Sequence, residues 1–214
     1  MKNNKYLLIG FGCALLLALA LYLLPTSHPS TCTADQESDV SAASEASGSV
    51  SYLLTTADSI RDLLSNQEDP VARENMGKTA ISIYEQVLKQ EPNNLDAKAG
   101  LGFCTAISTP QPMNGIMMLR DVVKADPNHE NGQLFLGLLS LQSGQLDKAI
   151  DRFEKVLVLD SQNFNVLLLL GRTYAETGNT KKALETFKLL KEKTQDAGLN
   201  QEADAWIKKL ESAS

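Results

Sequence analysis

Comparing the chain with itself reveals a spacing of 34 residues. Gly137 recurs as Gly171, Gly144 as Gly178, Ala149 as Ala183 and Phe153 as Phe187, with Leu136 and Leu170 in step. A period of this size marks stacked supersecondary units, none of which can bury its apolar face alone, so neighbours must pack to share a core. The spacing within each unit predicts two antiparallel helices. They cross most closely where the first carries Gly137 or Gly171 and the second Ala149 or Ala183, because larger side chains there would hold the pair apart. Gly144 and Gly178 end each first helix, where the backbone favours a left-handed residue. Phe153 and Phe187 then fill the seam toward the next unit.

Weaker copies lie upstream. Leu101-Gly102 opens one, and Gly115, Leu119, Val122 and Pro127 form its second half; Thr109-Pro110-Gln111-Pro112 replaces the glycine turn and adds one residue. Ala80, Tyr84, Val87 and Pro92 precede that set by 35 residues and mark an earlier second helix. Asp69-Pro70 is a favourable start for it, and Leu53, Leu54, Ile60, Leu63 and Leu64 are the apolar set of its partner. At the other end Ala203, Trp206, Ile207 and Leu210 follow a helical stripe, with Asn200 as the expected cap. A terminal helix of this kind covers the open face of the last repeat.

The run Leu167-x-x-Leu170-Gly171-x-x-Tyr174 followed by Ala183-x-x-x-Phe187 resembles the tetratricopeptide repeat (TPR) consensus, with Leu167 where that family usually carries Trp. Leu136-Gly137-x-x-Ser140 and Ala149-x-x-x-Phe153 match it more loosely. The resemblance implies an all-α TPR solenoid of about four helix pairs and a capping helix over residues 50–212. It also implies that the inner surface is lined by set positions of each first helix. These are Asp96, Ala99, Phe103 and Ala106, then Asn131, Leu134, Leu138 and Leu141, then Asn165, Leu168, Arg172 and Ala175. TPR domains that clamp chaperone carboxyl termini place Lys, Asn and Arg there. Here leucines hold those places and Arg172 stands alone, which suits an apolar helix or extended segment entering past Asn131 and Asn165. The alternative for these leucines is ordinary core between repeats. The candidate protein-binding groove is therefore Phe103, Asn131, Leu134, Leu138, Leu141, Asn165, Leu168 and Arg172.

The first 25 residues have a different character. Lys2 and Lys5 precede residues 6–24, nineteen residues without a charge, and Pro25 ends the run. As a helix this run is roughly 28 Å long, close to the ~30 Å hydrocarbon core of a bilayer. The next basic residue is Arg61, so the positive-inside rule predicts a single-pass signal anchor in the cytoplasmic membrane, with the N-terminus inside and the repeats outside, in the periplasm. A cleaved signal peptide ending near Ala18-Leu19-Ala20 is the rival reading, and a lipoprotein at Cys13 or Cys32 is the third. Residues 26–49 are Ser, Thr, Ala, Pro and acids, a composition that predicts a disordered tether.

Charge narrows the function. The two lysines of the leading segment leave 18 basic and 26 acidic residues beyond it, a net of −8, which gives no claim on nucleic acid. Two histidines and three scattered cysteines supply neither zinc-site spacing nor a disulfide framework. No phosphate loop or nucleophile–base set occurs, so no enzyme, metal or cofactor is expected. Cys104 reads as a small buried residue and His129 as solvated in its turn. Met113, Met117 and Met118 read as core filling, with an adaptable contact surface as the alternative. The expectation is a membrane-anchored adaptor for protein segments in the envelope, in assembly or quality control. Its layout is similar to periplasmic TPR proteins beside the translocon and to TPR subunits of cytochrome c maturation. A self-associating structural subunit is the alternative.

Overall fold

The computed structural model describes residues 49–65 and 67–212, and the apolar run at 6–24 and the segment 26–48 lie outside the described residues. No described helix is long and apolar enough to cross a membrane. Among the described residues there are nine α-helices and no strands: α1 (Val50–Ser65), α2 (Pro70–Gln90), α3 (Leu95–Ser108), α4 (Pro112–Ala125), α5 (Glu130–Gln142), α6 (Leu146–Leu159), α7 (Phe164–Glu176), α8 (Thr180–Lys193) and α9 (Ala197–Ser212). Consecutive helices pack as antiparallel pairs. The first helices also touch one another, α1 with α3, α3 with α5 and α7 with α9, whereas no second helix packs to a comparable extent on another second helix. The first-helix layer is thus the more closely spaced, inner one.

Local chemistry explains the boundaries. Asp69 caps α2 by accepting from the Val71 amide, and Pro70 takes the first helical position, where its missing N–H costs nothing. Asn94 and Asn163 cap α3 and α7 in the same way. Gly144 and Gly178 have φ of +70° and +76°, the left-handed turn that only glycine adopts without strain. Asn200 is not the cap of α9. That helix begins a turn earlier, at Ala197, where the Asp196 carboxylate accepts from the Leu199 amide. Asn200 sits inside the helix and donates to the Thr194 carbonyl at 3.3 Å.

The repeat glycines make room for rings. A Cβ at Gly137 would lie 2.7 Å from Phe153 Cε1, and one at Gly171 would lie 2.7 Å from Phe187 Cε1. Each phenylalanine therefore covers the glycine of its own pair as well as reaching onward, as Phe187 does to Trp206 at 6.0 Å between ring centroids. In the second pair the backbones themselves approach, since a Cβ at Gly115 would fall 2.2 Å from the Gly102 carbonyl oxygen. The core is a chain of such seams. Leu64, Tyr84, Val87 and Cys104 fill the first; Phe103, Leu119, Val122 and Phe135 the second; Phe153, Leu170, Phe187, Leu190 and Leu210 the last.

Candidate inner-face binding site

At the edge of the first seam a partly buried polar group ties α1 to α2. The Tyr84 hydroxyl donates to Asp58 at 2.6 Å, and Arg61 donates to Asp58 and, at 3.2 Å, to the Tyr84 oxygen. Burial, reinforced by the Asp58 hydrogen bond, raises the Tyr84 pKa far above the phenol range even though Arg61 pulls it down. The neighbouring Cys104 thiol is fully buried and is pushed up to about 12, chiefly by that burial, so it is inert at neutral pH. The Arg61 guanidinium then extends 5.1 Å over the ring of Phe135 on α5, and Phe135 stacks on Phe103 at 4.5 Å.

This stack closes part of the inner face. Phe103 is 5% exposed and Leu168 7% exposed, so both pack as core; Leu168 belongs to the cluster that α9 helps to close. Leu134, Leu138 and Leu141 are half-buried, Asn131 is half-buried and Asn165 is exposed. Arg172 pairs with Glu202 of α9 at 3.6 Å. Asp96 faces His129, whose Nε2 lies 3.3 Å from its carboxylate. His129 is not solvated: its side chain is 10% exposed and its Nδ1 accepts from the Gly132 amide, making it the cap of α5.

Of the eight candidate groove residues, Phe103 and Leu138 line a cavity of about 270 Å³, together with Leu64, Arg73, Ile107, Leu139 and Gln142; the other six lie outside it. That volume is below the usual range for a small-molecule pocket and fits an apolar side chain. Arg73 reaches it because α2 has 21 residues where α4, α6 and α8 have 14, and the surplus is at the N-terminal end. Its guanidinium is aimed by donation from Nε to the Gln67 carbonyl at 2.8 Å. Among the described residues no group of three or more His, Cys, Asp or Glu could hold a metal ion.

Residues 140–204 match the tetratricopeptide repeat family. Among solved structures, a tetratricopeptide repeat protein from Parabacteroides merdae aligns with TM-score 0.52 and 15% identity, covering 75% of this chain and 61% of that one. MamA from MSR-1 aligns with TM-score 0.50 and 20% identity over 76% of this chain and 95% of that one. MamA from AMB-1 gives TM-score 0.50 and 19% identity over 74% and 82%. At these identities the likeness is one of fold. The described helices form an all-α solenoid like those of tetratricopeptide repeat proteins. A curated relative, the BBSome complex member BBS4 of Bos taurus, is 29% identical over 108 residues, which is half of this chain and a fifth of that protein.

Within the solenoid, the family's lining positions locate the face but not the socket. Leu64, Arg73, Ile107 and Leu139 were not among the sequence candidates. Leu64 and Arg73 come from the degenerate first repeat, whose register the 34-residue period does not carry. Ile107 and Leu139 lie one position beyond Ala106 and Leu138. The methionines also differ from expectation. Met113 and Met117 are 56% exposed and Met118 38%, so they form surface rather than core.

Proposed function

We propose that this protein is a membrane-tethered adaptor that holds segments of other proteins against the inner face of its solenoid, outside the cytoplasm. The observation that carries the binding reading is the apolar socket between Leu64, Phe103, Ile107 and Leu138 with Arg73 at its edge. A segment seating one large apolar side chain there, and running on along Leu134 and Leu141, would gain most of its affinity from burial at about 25 cal/mol per Å². The tether reading rests on the apolar run at 6–24 and the two lysines before it. Scaffolding is in keeping with the tetratricopeptide match and with the printed name of the partial relative, a member of a complex. A role in assembling or checking envelope proteins follows from that location, and no catalysis is included.

Site-specific photocrosslinking in cells tests this. A photoreactive residue in place of Leu138 of the full-length chain should trap a different protein, and the same residue in place of Lys188 should not. Trapping only a second copy of the chain would replace the adaptor by a self-associating subunit.

A further inference from the structure

A second cleft, of about 270 Å³, lies between the second helices α4 and α6 over α5. Its apolar floor includes Met113, Ile116 and Leu136, and its rim carries Arg120, Lys148, Arg152 and Lys155 against one acid, Asp151. Four cations in one cleft are out of keeping with a chain whose net charge is −6. Among the described residues none of the four makes an ion pair. Lys148 donates to Gln145 at 2.6 Å, and Arg152 donates to the Gln133 side chain, so their neutral partners aim them without neutralising them. Arg120 and Arg152 are near enough that Arg120, after burial, helps to lower the Arg152 pKa, although Asp151 opposes it.

The next repeat shows what a self-satisfied version looks like. The corresponding cleft between α6 and α8 is lined by Glu154 and Glu185 against Lys182 and Lys193. There the Tyr174 hydroxyl donates to Glu154, and the Lys182 ammonium lies 4.9 Å over the Tyr174 ring. Stepping back 34 residues replaces Glu154 by Arg120, Tyr174 by Ser140, Thr186 by Arg152 and Leu189 by Lys155. The same fold position thus loses one of its two acids and its bridging phenol, and its cations rise from two to four. Its methionine edge stays exposed as well.

We propose that the α4–α6 cleft docks an acidic segment of a partner protein, with carboxylates between the four cations and one apolar side chain on Met113 and Ile116. Lys148 and Lys155 are about 10 Å apart along α6, too far for one small anion to engage both while covering the apolar floor. A long nucleic acid would have to cross the acidic remainder of the surface, whereas a short acidic segment meets only the cleft. This cleft shares only Leu139 with the inner-face socket, and the proposal does not rest on that socket.

Fluorescence anisotropy of the full-length chain with a labelled peptide of aspartates and glutamates around one leucine tests the proposal. The peptide should bind, more weakly as salt rises. Arg120→Glu, at an exposed position, should weaken binding at least about tenfold with unchanged helicity. Lys188→Glu, the same charge change two repeats on, should leave binding within about twofold. Replacing the peptide's leucine by serine should weaken it several-fold. The proposal is overturned if the peptide fails to bind or if both variants weaken it equally, which would make the effect one of net charge. Displacement by inorganic phosphate together with indifference to the leucine would make the cleft a small-anion site and would also overturn it.

Discussion

Tyr84 shows how much one buried hydroxyl can couple in a fold of repeated pairs. It is fully buried, donates to Asp58 and accepts from Arg61, and its ring stands where any side chain at Gly100 would collide. Its raised pKa has a definite consequence. Below pH 10, the ordinary phenol value, both native and unfolded states keep the proton and the stabilisation is complete. Above it the unfolded chain loses a proton that the native state retains, so stability falls as pH rises. Tyr84→Phe should cost about 1–2 kcal/mol at neutral pH through the lost hydrogen bond to a charged group. It should also flatten the alkaline loss by up to ~1.4 kcal/mol per pH unit. Urea melts at pH 7, 9 and 10.5 measure both effects. Equal pH slopes in the two proteins would show that Tyr84 is not the group responsible.

Helix pairing is the next scale up, and here the glycines decide the spacing. Gly171 admits the Phe187 ring between α7 and α8, and Phe187 in turn stacks on Trp206 of α9. Gly171→Leu forces the ring aside, an overpacking that typically costs about 1–3 kcal/mol, and near-neighbour coupling passes the loss to the capping helix. Trp206 is the only tryptophan of the chain, so its fluorescence reports that displacement. The variant should show a red-shifted emission and a lower melting temperature. A melting curve identical to wild type would mean that the helices cross elsewhere. The pairing itself was legible: the positions of Gly137, Gly171, Phe153 and Phe187 recur at a fixed interval because each pair meets the same steric demand. The caps were less so, since Asp196 and Asn200 are both good capping residues and only the course of the preceding turn chooses between them.

For the whole molecule the proposed tether makes a prediction about which side of a membrane the solenoid would occupy. The argument rests on Lys2 and Lys5, because the next basic residue is Arg61. A reporter active only outside the cytoplasm, fused after Ser214, should be active in the native chain. Moving the two lysines beyond Leu24 should reduce that activity by reversing the charge bias. An inactive native fusion would place the solenoid inside and remove the extracytoplasmic adaptor, although the socket and the cationic cleft would stand.

The seating of Phe153 and Phe187 on the glycines of their own pairs came from the structure, whereas other periodic and local properties came from the sequence by itself: the helical pairs, the glycine turns at 144 and 178 and the buried Cys104. Each depends on residues within a single pair or on composition, and the 34-residue recurrence exposes them. The tertiary structure alone decided which apolar residues of the inner helices are surface and which are core. Leu134 and Leu168 occupy equivalent positions one repeat apart, yet Leu168 is buried in the cluster that α9 helps to close while Leu134 stays half-buried. Arg61 reaches Phe135 on α5 because successive first helices pack closely, and no spacing within a repeat encodes that approach. Exposure in a solenoid is set by what the neighbouring repeats cover. Identical positions in the repeat therefore acquire different roles, and this is why the period located the face and the packing placed the site.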